Sequence, residues 1–363
     1  MAKYRFVIIG SGWRAAYYIR IAKALPNIFV LCAVYCRSQD KADKLSHDYG
    51  INVTTSEDEC SLCNPDFVVV SVSKSAGAEV ASRWMDKGFT VLMETPAALD
   101  IQTITELWKR NLKGQKLVVA EQYTRYPQYS ALLKIIKRGY IGDVSCLNIS
   151  IAHDYHGASL MRALLGVPVN MPFSVFSKTY SFPTVETLSR YEEFHDGRIS
   201  DKKRRVAVFE FDNGKTCIYD FDSEQYRSPI RRNTYKVQGV KGEIIDNVCF
   251  YLDTDNNAHE KEMIIKYRPV DTDYDNPNLR HIKEVEKITF DDETIYEPPF
   301  GLCGLRDDET AMAILMEETA LYARNESDTP YPLRDALQDA YMAILMDASE
   351  TGNEVINSTQ ILQ

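Results

Sequence analysis

Four consecutive residues, His153-Asp154-Tyr155-His156, carry side chains well suited to moving protons. An imidazole titrates near neutral pH, which makes His156 the candidate catalytic acid or base. Asp154 and His153 are candidates to orient it or to relay its proton, His153 is also a candidate substrate-binding residue, and Tyr155 is a further candidate acid. A metal site is the alternative, but two histidines and one carboxylate in one turn of chain do not readily converge on one ion. We therefore predict proton-transfer chemistry here and no metal.

A glycine-rich turn after a buried strand is the second candidate site. The apolar run 6–9 predicts the strand, and a helical pattern follows the turn as far as Pro26. In a dinucleotide fingerprint the first glycine makes the turn, the second lets backbone approach a pyrophosphate, and Ala15 replaces the third. An ordinary strand-to-helix turn is the alternative. The favoured interpretation is a dinucleotide site whose phosphates bind at the start of the helix, built from Gly10, Ser11, Gly12, Trp13 and Arg14.

The residues after the next strand bear on the type of dinucleotide. Strand 29–35 leads to Cys36, at the position where an NAD-preferring protein is expected to have Asp or Glu. Arg37 and Ser38 follow, and an arginine there can hold the 2′-phosphate of NADP. The alternative is that Arg37 only opens the helix that follows. We predict NADP, or NAD, as the cofactor.

Further polar residues follow two other predicted strands, at 67–72 and 90–93. Ser71 lies at the end of the first, and Glu94-Thr95-Pro96 follows the second. Arg125 lies beyond the next strand, 116–120, and is assigned either to substrate or to a structural role. Because ligands of doubly wound sheets bind beyond the carboxyl ends of the strands, we expect Ser71, Glu94 and Pro96 to lie near the cofactor.

Strands and helices alternate over about the first 120 residues, which predicts βαβ units and a parallel, doubly wound sheet. The predicted helices there are 40–49, 78–87 and 103–111. The pattern then changes to an α+β arrangement with a large, mostly antiparallel sheet. Its predicted helices are 129–138, 157–165, 307–324 and 333–352, and its strands are 143–152, 205–211, 215–222, 233–239, 243–252 and 260–267.

Composition limits the class of protein. A chain of 363 residues is long enough for two domains, and a net charge of -10 argues against nucleic acid as a partner. No apolar run is long enough for a membrane span and no signal peptide is evident, so we expect a cytoplasmic protein. Cys60 and Cys63 have a metal-like spacing but no second pair nearby. The basic runs 202–205 and 227–232 are interpreted as solvated turns, the second alternatively as a site for an acidic sugar or phosphate.

The order and spacing of the motifs resemble the Gfo/Idh/MocA family of NAD(P)-dependent oxidoreductases, which includes glucose-fructose oxidoreductase and inositol dehydrogenase, over most of the chain. The motifs are Gly10-Ser11-Gly12, Glu94-Thr95-Pro96, Tyr123-Thr124-Arg125-Tyr126-Pro127, Gly139-Tyr140-Ile141-Gly142-Asp143-Val144, His156 ten residues before Gly166, Gly239-Val240-Lys241-Gly242-Glu243-Ile244, and the two closing helices. The resemblance implies a Rossmann domain at 1–122 and a substrate-binding and oligomerisation domain at 123–363. It also implies a carbohydrate-like substrate and a homodimer or homotetramer built through the second sheet.

Two departures from the family pattern affect the predicted chemistry. Members usually have Glu-Lys-Pro where this chain has Glu94-Thr95-Pro96, and an ammonium there can hold the reacting oxygen and relay its proton. Thr95 offers a hydroxyl but no such charge. The family often has aspartates four residues before and three residues after the catalytic histidine, where this chain has Ala152 and Ser159. His156 itself remains.

Three hypotheses follow from these residues. The first is an NADP-preferring oxidoreductase acting on a sugar, polyol or related hydroxy or keto compound, with His156 as acid or base. The second is a glycosidase or lyase that oxidises its substrate transiently and releases an aglycone without net cofactor reduction. The third is a sensor that binds the cofactor without turnover, motivated by the missing lysine and aspartates.

Overall fold

The computed structural model describes residues 3–271 and 281–362. Residues 3–125 and 299–340, with Leu362, form one compact unit, and residues 126–271, 281–298 and 341–361 form a second. The helices are α1 Ala15–Ala24, α2 Gln39–Tyr49, α3 Glu57–Leu62, α4 Lys74–Asp86, α5 Ile101–Leu112, α6 Pro127–Lys137, α7 Asp154–Leu165, α8 Asp307–Ala323 and α9 Leu333–Gly352. The strands are β1 Tyr4–Ile9, β2 Phe29–Tyr35, β3 Val53–Thr54, β4 Phe67–Val70, β5 Thr90–Met93, β6 Leu117–Val119, β7 Val144–Ser150, β8 Phe173–Val185, β9 Ile199–Phe211, β10 Thr216–Asp222, β11 Thr234–Gly239, β12 Gly242–Ile245, β13 Val248–Leu252, β14 Ala258–Glu262, β15 Ile264–Asp271, β16 His281–Phe290, β17 Glu293–Tyr296 and β18 Ile356–Asn357.

The sheet of the first unit has six parallel strands in the order β3-β2-β1-β4-β5-β6. The central strands contain the continuous buried apolar runs 6–9 and 67–70, because helices cover both faces of such a sheet. Helices α1 and α8 pack on one face, where Tyr18, Ile19 and Met312 join Phe6 and Leu92 of the strands in one buried core. This strand order is that of the Rossmann fold and places the ends of β1 and β4 side by side.

The second unit contains a nine-stranded sheet in the order β14-β13-β12-β11-β7-β10-β9-β8-β18. All its neighbouring strands are antiparallel except β7 and β10, which run parallel. Residues alternate between a buried face, which includes Phe209 and Tyr219, and an outer face, which includes Val208 and Ile218. Helix α7 packs against β7, and a separate antiparallel sheet of β15, β16 and β17 packs against α6.

The predicted fold class is confirmed by these sheets, and most predicted elements fall within three residues of their actual ends. Two predicted strands are wrong. The run 243–252 is a hairpin, β12 and β13, because Asp246 has a φ of 49° and reverses the chain. The run 260–267 is broken at the buried Met263 into β14 and β15, which belong to different sheets.

The basic run 202–205 is also not a turn but part of β9, where its charges are paired across the sheet. Arg204 bonds to Asp220 of the neighbouring strand, and Lys202 bonds to Glu186 with 2.8 Å between Nζ and Oε1. Strand β9 begins at Ile199, six residues before the predicted start at Arg205. Carboxylates on neighbouring segments therefore stabilise a strand conformation in this run of cations, whose composition alone does not favour a strand.

Candidate active site

The glycine turn joins β1 to α1 in a backbone arrangement that a side chain at Gly10 would prevent. Gly10 has a φ of 123°, and a Cβ built on it would lie 2.0 Å from the carbonyl oxygen of Ser71, at the end of β4. A Cβ at Gly12, in contrast, would have no atom within 4 Å. Gly10 therefore fits the turn and close-packing role of the fingerprint, and the space at Gly12 allows a ligand to approach the backbone.

The amino end of α1 suits an anion. No side chain among the described residues caps this helix, and its first turn contains no acidic residue. The N–H groups of Ala15 and Tyr17 donate to the Gly12 and Arg14 carbonyls, at 3.0 and 3.1 Å, so it is the positive end of the helix dipole that can attract a phosphate. Trp13 is exposed beside this end, with its ring 5.6 Å from that of Tyr17. These features fit the pyrophosphate of a dinucleotide.

Arg14 and Glu94, both predicted near the cofactor, contact each other. The Arg14 Nε donates to the Glu94 Oε1 at 3.0 Å, and the Tyr18 hydroxyl donates to the same oxygen. Burial lowers the pKa of Arg14, but Glu94, together with Tyr18, Tyr17 and Asp308, outweighs burial, and the pKa lies well above its usual value. Burial and Glu94 raise the pKa of Tyr18. Arg14 is therefore a fixed cation that neutralises Glu94 beside the glycine turn.

The end of β2 carries an arginine in place of a carboxylate. Cys36 is buried, and its Sγ lies 3.1 Å from the Oγ of Ser11 in the glycine turn. Arg37 is exposed and makes no hydrogen bond or ion pair with any residue that the structure describes. Ser38 precedes α2, with no hydrogen bond from its side chain to the helix start. A cation is thus free at the position expected for the 2′-substituent of a dinucleotide.

Thr95 and Pro96 follow β5 directly, joined by a cis peptide bond, with Thr95 half-buried. Arg125 is held within the first unit. Its Nε donates to Glu318 at 2.7 Å and its Nη2 to the Pro330 carbonyl at 2.6 Å. Of the two roles considered for Arg125, these bonds favour the structural one.

In the second unit His153 lies between two tyrosine hydroxyls. Its Nε2 is 3.0 Å from the Tyr155 Oη, and its Nδ1 bonds to the Tyr226 Oη. The ring of His156 is centred 5.0 Å from that of His153 and 4.5 Å from that of Tyr155. His156 is only 8% exposed. Three of the four predicted residues therefore form one cluster, which Tyr226 extends.

Asp154 has a different role from the one predicted. Its carboxylate accepts a hydrogen bond from the Arg205 Nη1 at 2.7 Å and, among the described residues, bonds to neither imidazole. Arg205 also pairs with Asp347 and Glu350 of α9. Burial lowers the pKa of Arg205, but the three carboxylates, Asp154 first, raise it to a net value above its usual one. Asp154 therefore anchors the chain between the two histidines to β9 rather than orienting His156.

Tyr219 holds the backbone of the same segment in place. Its hydroxyl donates to the Ala152 carbonyl at 3.1 Å and accepts from the Asp154 N–H at 2.9 Å. Asp154 has a φ of 42°, and a Cβ at Gly157 would lie 2.5 Å from the Tyr219 ring. Tyr219, Arg205 and Tyr226 were missed in the sequence because they lie 51 to 73 residues along the chain from the residues they contact. No local pattern signals such contacts.

Within residues 3–271 and 281–362, no group of three or more His, Cys, Asp or Glu side chains could hold a metal ion. Cys60 and Cys63 are free thiols, and burial raises the pKa of Cys60 to about 12. No helix in these ranges is both long and apolar enough to cross a membrane.

Comparison with known proteins identifies the first unit. Residues 4–123 match the oxidoreductase family with an NAD-binding Rossmann fold, the Gfo/Idh/MocA family. An uncharacterized oxidoreductase of Rhizobium meliloti is 27% identical over 151 residues, which are 39% of this chain and 44% of that protein. Residues 4–123 thus match an NAD-binding Rossmann domain of this oxidoreductase family, and over these residues the resemblance drawn from the motifs is confirmed.

Solved structures share the fold over nearly the whole chain. The apo scyllo-inositol dehydrogenase of Lactobacillus casei is 13% identical with a TM-score of 0.65, and 98% of each chain is covered. The WlbA dehydrogenase of Bordetella pertussis, in complex with NADH and UDP-GlcNAcA, is 14% identical with a TM-score of 0.64, and 99% of this chain and 100% of that chain are covered. At such identities the likeness concerns the fold.

Proposed function

We propose that the protein is an NAD(P)-dependent oxidoreductase that moves a hydride between its cofactor and a hydroxyl or keto carbon of a sugar, polyol or related compound. The observation that carries the proposal is the glycine turn, in which Gly10 fits only as glycine and Gly12 leaves its backbone open. The family match of residues 4–123 supports it. A bound nicotinamide would supply the hydride chemistry.

We assign cofactor binding to residues of the first unit. The turn from Gly10 to Gly12 and the start of α1 would hold the pyrophosphate, and Arg37 would pair with a 2′-phosphate, because a guanidinium forms strong charge-assisted bonds to phosphate oxygens. The absence of a carboxylate at Cys36 supports a preference for NADP over NAD. The carbonyl oxygen of Ser71 lines the turn at Gly10.

We assign the acid–base step to His156. A secondary alcohol must lose its hydroxyl proton as the hydride leaves, and an imidazole in a largely buried cluster is suited to take it. Its neighbours Tyr155 and His153 provide groups that can accept the proton in turn. Since Thr95 carries no ammonium, this cluster would have to supply the proton chemistry alone.

The carbohydrate-like substrate is supported by two proteins that share the fold, a scyllo-inositol dehydrogenase and a dehydrogenase bound to UDP-GlcNAcA. We also propose that copies of the chain associate through the outer face of the nine-stranded sheet. Phe176, Val208 and Ile218 lie next to one another across three strands of that face and are each more than a third exposed. A contiguous exposed apolar patch commonly marks an interface.

The test is a screen of polyols, sugars, uronates and sugar nucleotides, following NAD(P)H absorbance. A substrate that is oxidised or reduced supports the proposal, and His156→Gln should then lower kcat by about 10²- to 10⁴-fold without weakening cofactor binding. His195→Gln is the matched control, because His195 is 86% exposed and lies outside the cluster. Release of an aglycone without net change in NAD(P)H would instead indicate the glycosidase or lyase. Cofactor binding without turnover of any compound would contradict the proposal.

A further inference from the structure

The hydrogen bonds of His153 connect a buried tyrosine to an exposed one. Tyr155, whose hydroxyl lies 3.0 Å from the His153 Nε2, is 7% exposed. Tyr226, which bonds to the Nδ1 on the opposite edge of the same ring, is 37% exposed. Each of these side chains can both donate and accept a hydrogen bond. The three groups therefore form an unbroken path for a proton from the buried cluster to the surface of the second unit.

We propose that Tyr155, His153 and Tyr226 are a proton relay between His156 and solvent. The relay rests on the proposed oxidoreductase function, which releases one proton from the alcohol for each hydride removed. His156, whose ring centre lies 4.5 Å from that of Tyr155, gives the proton taken from the alcohol to the Tyr155 hydroxyl, which passes its own proton to Nε2 of His153. In this path His153 begins as the Nδ1–H tautomer and ends as the Nε2–H tautomer. Nδ1 passes one to the Tyr226 hydroxyl, which gives one up to water. One proton enters and one leaves, and each side chain keeps its original number of protons.

The chain geometry holds Tyr226 in place for this role. It ends the 3-10 turn Ser223–Tyr226, whose start is closed by reciprocal bonds between Asp222 and Gln225. The Gln225 Nε2 also donates to the Ser150 carbonyl at 3.0 Å, which ties the turn to β7. The Tyr226 Oη accepts a further bond from the backbone N–H of His153 at 3.1 Å, and its ring lies 5.0 Å from that of Phe221. Tyr226 is thus held beside His153 by two hydrogen bonds, one to the ring and one to the backbone, and by packing against Phe221.

The carboxylate of Asp154 is not part of this path. Asp154, between the two histidines, is bonded to Arg205, which in turn holds Asp347 and Glu350. Among the described residues this carboxylate makes no hydrogen bond to either imidazole. Tyr226, which was not among the predicted site residues, is therefore the group through which the relay reaches solvent.

Tyr226→Phe tests the relay because it removes the hydroxyl and keeps the ring. In weak buffer its kcat should fall by about tenfold to a hundredfold, less than the ~10² to 10⁴ expected for a directly acting acid or base. Added imidazole, a small proton carrier, should restore much of the loss, with KM little changed. Tyr191→Phe is the matched control, since Tyr191 is 65% exposed in the same unit. A purely structural role for Tyr226 would give a loss that imidazole does not restore.

A second measurement does not depend on turnover. In protein carrying ¹⁵N-labelled histidine, Tyr226→Phe should shift the Nδ1 resonance of His153, and Tyr155→Phe should shift its Nε2 resonance, with His153→Gln providing the assignment. If neither resonance moves, the relay is overturned. If the wild type turns over a substrate and Tyr226→Phe matches it in weak buffer, the relay is overturned and the oxidoreductase stands. If the wild type turns over nothing, the oxidoreductase fails and the relay with it.

Discussion

Replacing Gly10 with alanine should unfold the first unit at a much lower denaturant concentration than in the wild type. An L-residue at positive φ costs about 1–2 kcal/mol. In addition, the new Cβ would lie 2.0 Å from the Ser71 carbonyl oxygen, where ordinary contacts are 3.4–4 Å. Both atoms belong to or are attached to the backbone, so the clash can be removed only if β1 and β4 move apart. That movement would break the hydrogen bond from the Ser71 N–H to the Ile9 carbonyl, which is 2.9 Å long. Losing that bond costs roughly 1–3 kcal/mol.

The two contributions together give about 2–5 kcal/mol, a large part of the ~5–15 kcal/mol that stabilises a typical domain. Urea titration followed by tryptophan fluorescence measures it selectively, because all three tryptophans, Trp13, Trp84 and Trp108, lie in the first unit. Gly12→Ala is the matched control. With no atom within 4 Å of its Cβ, it should change stability by less than about 0.5 kcal/mol while weakening dinucleotide binding. Equal unfolding midpoints for the two variants would refute the reasoning.

Three further variants probe the two units. Arg37→Gln should weaken NADPH binding about tenfold, or 1.4 kcal/mol, and leave NADH unchanged in calorimetry, whereas equal losses would show that Arg37 does not select the 2′-phosphate. Asp154→Asn should lower kcat less than about tenfold, because its carboxylate serves Arg205; a loss as large as that of a catalytic base, ~10² or more, would contradict this placement. Gly157→Ala should destabilise the second unit by about 1–3 kcal/mol in thermal unfolding followed by circular dichroism, because its Cβ would lie 2.5 Å from Tyr219; an unchanged melting temperature would show that the ring moves aside freely.

Sequence reasoning succeeds where the signal is local. The apolar run 29–35 and the amphipathic run 333–352 match β2 and α9 at both ends. The glycine turn is similarly local, because strand, turn and helix adjoin in the chain and each restricts the next. Its consequence, that Gly10 packs on Ser71, follows only once β1 and β4 are neighbours in the sheet.

Sequence reasoning fails where partners are distant in the chain. Asp154 was assigned to His156 because they are two residues apart, yet its carboxylate bonds to Arg205 of β9. Tyr226 contacts His153 from 73 residues away. The hairpin at Asp246 was missed because an aspartate in a left-handed conformation is a weak signal beside the strong Asn213-Gly214 turn, which was predicted.

The charged run at 202–205 illustrates a related failure. Cations in sequence are expected in solvent, but β9 aligns Arg204 with Asp222, and Arg204 bonds to Asp220 of the same strand β10. Pairing with the neighbouring strand thus determines that residues 202–205 form a strand, and the composition of one strand contains no information about its neighbour.

Calorimetric titration of the purified protein with NADPH and NADH shows whether the first unit binds a nicotinamide dinucleotide and whether it prefers the phosphorylated form. We expect both to bind, with NADPH at least about tenfold tighter, since one charge-assisted contact to the 2′-phosphate is worth that factor. If neither cofactor binds at millimolar concentration and none copurifies, the account of the glycine turn and of Arg37 is wrong.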